Sequence, residues 1–307
     1  NPPACGTRPI TIASFVWPSA QVLAAIHARI LARQFGCTVT VVSGDMAAMG
    51  SSMATTGQPA VAPEMWVARI ADIWNPAIKS QKVRPAGSSY DDSRLEGWFI
   101  PDYLAEAHPE LKSVADLKAH PDWFAVDGGK PRFVSCPADW ACAVINRNML
   151  AADGLAGLFD IASPANRYEL DTLIAEAVGR KQPILFYYWQ PNAVLSQFGF
   201  RQIDLGAYDK DSFACLGKRA CPDPKPSGFA PEPVLIALSD WVYKEAPEVA
   251  AYFQRATMPL AEMNALLEGL NGPGATVDQV ADRFVAEKAD LWQRWVGTPP
   301  PAAPAAN

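Results

Sequence analysis

The chain has 307 residues, half of them hydrophobic and 19% charged, with a formal net charge of −6. This is the composition of globular domains with sizeable cores, and it excludes disordered and collagen-like classes. The acidic balance argues against nucleic acid, whose backbone calls for a surplus of Lys and Arg, and no run reaches the roughly 18 to 20 apolar residues of a membrane span.

From the N-terminus, residues 10–15 alternate apolar and polar side chains and predict a strand. Val22, Leu23, Ile26, Ile30 and Leu31 then recur at helical spacing up to a stop near Gly36. Residues 39–42 predict a second strand, followed by a small-residue segment around 46–53. This β-α-β order implies a parallel sheet with a crossover connection. A second α/β unit follows residues 97–101. It has a helix over 113–118, a strand over 132–134, a helix after Cys142, a helix over 168–178 and a short apolar strand over 183–188. A Pro/Gly-rich segment, 221–233, precedes one more strand at 234–238, and amphipathic helices fill the rest. The expected class is α/β, with two lobes, each a mostly parallel sheet flanked by helices. Residues 1–100 plus 230–297 would form lobe 1 and residues 101–229 lobe 2, with a disordered Pro/Ala tail over 298–307. Two crossings imply a hinged cleft between lobes, a favoured place for a ligand.

Six cysteines bear on the compartment. Cys136 with Cys142 and Cys215 with Cys221 share one short spacing, which leaves Cys5 with Cys37. Three disulfides in an oxidising space is the economical reading, with free buried thiols as the alternative. No C-x-x-C or Cys/His ladder of zinc spacing is present, so no metal is expected. A start at Asn1-Pro2-Pro3 suggests an exported, periplasmic protein whose signal peptide has been removed.

Tryptophan is the unusual residue, with ten copies. Trp17, Trp66, Trp140 and Trp189 sit where segments change direction, positions that suit the walls of a binding site. Indole is also the best aromatic partner for a cation. Trp74, Trp98, Trp123, Trp241, Trp292 and Trp295 read as packing residues, the last pair three apart on a terminal helix.

Three segments carry a family likeness: Ser135-Cys136-Pro137-Ala138-Asp139-Trp140-Ala141-Cys142, Phe186-Tyr187-Tyr188-Trp189-Gln190-Pro191 and Glu64-Met65-Trp66. They resemble the ligand segments of the periplasmic glycine betaine/proline betaine-binding proteins of ABC importers, across nearly the whole chain. The resemblance implies a type II periplasmic binding protein. It would close on a small trimethylammonium ligand in the interlobe cleft, then dock on a membrane permease that works with an ATPase. It places Trp140 and Trp189 on one lobe and Trp66 on the other, with Glu64 and Arg69 as flanking candidates. Two departures narrow the guest. A His that holds the carboxylate in the enteric betaine-binding relative is replaced by Ile70, beside Arg69. The Trp-x-Asp of choline-binding relatives is replaced by Trp17-Pro18-Ser19, which disfavours choline. The N–H groups of Ala141 and Cys142, at an expected helix start, remain for an anionic group. Four indoles and few polar side chains suit trimethylamine N-oxide at least as well as glycine betaine.

Catalysis has little support. His108 and His120 each precede a proline, His27 reads as a partly buried helix residue, and no G-x-S-x-G, H-E-x-x-H, P-loop or G-x-G-x-x-G occurs. No cofactor and a monomeric state are expected. An enzyme acting on methylated amines and a sensor that binds the same solute are the competing classes.

Overall fold

The structure, a computed structural model, describes residues 4–297. The Pro/Ala tail and the processed start expected from the sequence lie outside the described residues. Within them the chain divides into two compact units. One runs through Ser93 and resumes at Glu232; the other spans Arg94–Pro231.

The first unit is built on strands β1 (Ile10–Ser14), β2 (Val39–Ser43), β3 (Val61–Trp66), β4 (Val83–Ser88) and β10 (Val234–Ser239), in the order β2-β1-β3-β10-β4. Strand β1 runs parallel to β2 and β3, while β10 is antiparallel to both β3 and β4. Four strands therefore point one way and the fifth is reversed. The helix Pro18–Phe35 starts with Pro18, whose fixed φ suits a first helical position, and stops at Gly36, left-handed at φ 70°. It buries Val22, Leu23, Ile26, Ile30 and Leu31, and its Arg29 pairs with Asp278 and Asp282 of the helix Val277–Glu287 at 3.0 and 2.7 Å. The segment 46–53 falls within a helix, Met46–Thr56, started by the Asp45 side chain accepting from the Ala48 N–H.

Strand β3 has no sequence periodicity because all six residues are buried, as in a strand covered on both faces. Its pairing with β10 is irregular. Met65 faces Leu235 and Ala62 faces Ala237, so Pro63 and Glu64 together oppose Ile236. Such a bulge absorbs the missing proline N–H and re-aims a neighbouring side chain.

The second unit repeats the plan with β5 (Glu96–Pro101), β6 (Arg132–Val134), β7 (Asp160–Ala162), β8 (Leu185–Trp189) and β9 (Phe200–Gln202), in the order β7-β6-β8-β5-β9. Strand β6 is parallel to β7 and β8, and β5 is antiparallel to β8 and β9. Residues 97–101, read from sequence as the lead-in to this unit, are thus a strand inside its sheet. In each unit the reversed strand, β10 or β5, is the one the chain enters straight after crossing over. The core of this unit centres on Trp98, Phe133, Leu185 and Leu150. The Trp98 N–H donates to Asn146 Oδ1 at 3.0 Å, and the Asn146 amide donates to Ser135 Oγ at 3.0 Å, so this buried polar set is paired internally.

All three disulfides are formed: Cys5–Cys37, Cys136–Cys142 and Cys215–Cys221. Among the described residues no helix is long and apolar enough to cross a membrane.

Candidate aromatic binding sites

In the first unit, the strands sharing one direction bring three separate segments together at their carboxyl ends, where ligands of open α/β sheets bind. Trp17 follows β1 as the residue capping the helix Pro18–Phe35, Glu64 and Trp66 lie two apart near the end of β3, and Tyr90 follows β4. Glu64 is 1% exposed. Its Oε1 accepts from the Trp17 indole N–H at 2.6 Å, the Trp66 indole N–H at 3.0 Å and the Ser19 hydroxyl at 3.0 Å. Its Oε2 accepts from the Tyr90 hydroxyl at 2.6 Å. Burial raises the Glu64 carboxyl above its ordinary value, and the four donated hydrogen bonds offset only part of that rise. Burial and the facing carboxylate hold the Tyr90 phenol well above its ordinary range, so it remains a neutral donor.

Arg69 has a defined place in this set. Its guanidinium lies 4.3 Å from the centre of the Trp66 ring, and its Nε donates to Glu232 at 3.0 Å. Its side chain is 59% exposed. A cation already rests on one of the candidate indoles.

In the second unit, Trp140 caps the helix Ala141–Ala152 with backbone alone, offering no side-chain acceptor to the first turn. The N–H groups of Ala141 and Cys142 therefore lie where a helix has no internal partner for them. The Cys136–Cys142 bridge closes the loop that carries Trp140. Trp189 ends β8, the parallel neighbour of β6. The two half-buried indoles meet edge to face, centroids 5.4 Å apart and planes at 60°, an arrangement the ring quadrupole favours. Tyr188 stacks on Trp189 at 4.4 Å, its hydroxyl donating to Asp171 at 2.5 Å. The Arg167 guanidinium lies 5.3 Å from the centre of the Trp189 ring.

The candidate residues from sequence thus group by unit: Trp17, Glu64, Trp66 and Arg69 in one, Trp140, Ala141, Cys142 and Trp189 in the other. Sequence reasoning missed Ser19, Tyr90 and Arg167. Ser19 carried a weak signal, two places after Trp17. Tyr90 carried none, since only sheet order brings it to Glu64. His27 is not partly buried as expected but 1% exposed, with Nδ1 2.7 Å from the Tyr252 hydroxyl. Of the six packing tryptophans, five are buried, while Trp123 is half-buried and stacked between His108 and His120 at 3.8 and 3.7 Å. Among the described residues no group of three or more His, Cys, Asp or Glu side chains is placed to hold a metal ion.

Two five-stranded α/β units, each with one reversed strand and helices on its sheet, define the fold of type II periplasmic binding proteins. Residues 8–287 match the family model described as the substrate binding domain of ABC-type glycine betaine transport systems, and the chain belongs to that family. No curated protein matches the chain. Among solved structures it is similar to apo YehZ from Escherichia coli, at 14% identity and a TM-score of 0.62, covering 93% of this chain and 100% of that one. Lactococcal OpuAC, closed and complexed with glycine betaine, gives 14% identity and a TM-score of 0.54 over 94% and 100% of the two chains. An ABC-transporter choline-binding protein in complex with choline gives 16% and 0.51 over 97% and 94%. At these identities the likeness establishes the fold.

Proposed function

We infer that the chain captures a small trimethylammonium compound, trimethylamine N-oxide or glycine betaine, and delivers it to the permease and ATPase of an ABC importer. The pairing of indoles carries this reading: two are fixed by one buried carboxylate in the first unit, and two meet edge to face in the second. A trimethylammonium group has no N–H to donate, so it is held by contact and by attraction to ring faces. Each indole contributes about 0.5 to 2 kcal/mol when desolvated, and a pair contributes roughly 1 to 4. The oxide or carboxylate of the ligand takes the N–H groups of Ala141 and Cys142. Choline fits less well. Trp17-Pro18-Ser19 lacks the acidic residue for its hydroxyl, and Glu64 Oε1 is already taken by three donors. The protein works as a periplasmic monomer, binding without chemistry and without a cofactor.

Tryptophan fluorescence titrated with glycine betaine, trimethylamine N-oxide and choline tests this. Saturable responses to the first two, and a weaker one to choline, are expected. No saturable response to any of the three overturns the proposal, and turnover of a bound compound would move the protein to the enzyme class.

A further inference from the structure

Glu64 is unusual among the carboxylates of this chain. It is buried, it sits at the bulge of β3, and every partner the structure gives it is a neutral donor: two indoles, a serine and a phenol. Among the described residues no lysine, arginine or histidine pairs with it. An indole N–H can only donate, so two of the four hydrogen bonds require oxygen lone pairs. Oε1 takes three of the four donors, more than the roughly two acceptor sites of one oxygen, and Oε2 takes the fourth. A proton on Oε1 would face the donors crowded there, and a proton on either oxygen would make the carboxyl a weaker acceptor for all four. The arrangement is built for the anion, yet a buried anion without a cation is costly unless something supplies the charge.

The geometry points to Glu64 as the charge-bearing positioning residue of the first unit's binding site. Held by four neutral donors, it fixes the Trp17 and Trp66 rings by their N–H edges and leaves its negative charge to be balanced by the ligand's ammonium group. This rests on the trimethylammonium reading and adds to it the residue that makes the site select for charge as well as shape. Donation to an anion polarises each indole, making its faces more negative toward a cation. Arg69, over Trp66, shows that a delocalised cation is accepted on that ring in this field.

The other titratable or charged groups facing Glu64 are few. Tyr90 comes from the segment after β4 and stays neutral as a donor. Arg69 lies over Trp66 and is itself paired with Glu232. The segments that carry Trp17 and Ser19 bring none. Loss of binding on acidification can therefore be followed to Glu64 by substitution.

Three proteins test this: the wild type, Glu64→Gln and Tyr90→Phe. Each is titrated calorimetrically between pH 8 and pH 5 with glycine betaine and with its uncharged-head isostere 3,3-dimethylbutanoate. Glu64→Gln keeps the shape and removes the charge. It should bind glycine betaine at least about tenfold more weakly at pH 7, about 1.4 kcal/mol, and should lose the wild type's decline in affinity toward pH 5. It should also discriminate less between the two probes. Tyr90→Phe keeps the charge but removes a donor to it, so its decline should begin at higher pH than in the wild type. A folded Glu64→Gln with wild-type affinity and pH profile overturns the inference while leaving the trimethylammonium reading standing. If Glu64→Gln does not fold, a Tyr90→Phe profile identical to the wild type overturns it. A wild type that binds neither probe overturns both.

Discussion

The use of an indole depends on where its N–H goes. Trp292 donates to the Val285 carbonyl at 2.9 Å and Trp241 to the Gly57 carbonyl at 2.7 Å, which satisfies the ring and leaves it as core. Trp17 and Trp66 donate instead to a carboxylate, and Trp140 and Trp189 face each other across the ends of neighbouring strands. Trp140→Ala should therefore weaken ligand binding more than tenfold, whereas Trp292→Ala should leave affinity alone and cost about 3 to 5 kcal/mol of stability. Calorimetric titration and denaturant unfolding of the two variants separate these outcomes; similar behaviour would contradict the division of tryptophans. His27 belongs to the core in the same sense. Burial pushes its pKa down from 6.5 to about 3. The unfolded chain then binds more protons than the folded one between those values. The stability of the neutral imidazole is complete above about pH 6.5 and drains as pH falls toward 3, at up to about 1.4 kcal/mol per pH unit. Replacing His27 with Gln should flatten that part of the stability profile, as measured by urea unfolding at a series of pH values. An unchanged slope would show that other groups carry the acid sensitivity.

At the scale of elements, the legible parts were those with a local signature. The helix Pro18–Phe35 announced itself by periodicity between Pro18 and Gly36, and the strand over 132–134 and the helix over 168–178 emerged close to their expected bounds. Strand β3 did not, because burial of all six residues erases alternation and Pro63 argues against a central strand. The bulge that tolerates Pro63 also aims Glu64, a feature set by pairing with β10 some 170 residues on. Trp140 and Trp189 were singled out from short motifs; Tyr90 reaches Glu64 only through sheet order. The two short disulfides provide a matched comparison, each closing a separation of 6 residues. Removing either by double Cys→Ser substitution should cost about 2 kcal/mol of stability through the loop entropy of the unfolded chain. Only loss of Cys136–Cys142 should also weaken binding, because that loop carries Trp140 and leads into the helix that presents Ala141 and Cys142. Equal affinity losses from both pairs would contradict a binding role for the first.

At the scale of the whole molecule, the α/β class followed from the order of strands and helices, and the family from three short segments. The crossing points at 93/94 and 231/232 lie a few residues from those read at 100 and 230, since β5 already pairs with β8 and β9. Composition alone marks strand ends poorly; ladder hydrogen bonds decide them. The central claim is that the indole pairs of the two units are ligand-binding, and it is tested most directly by one tryptophan from each. Calorimetric titration of Trp66→Ala and Trp189→Ala with the ligand that the wild type binds best should show at least about a tenfold loss in both variants, about 1.4 kcal/mol each. A folded variant of either that binds like the wild type would contradict the claim.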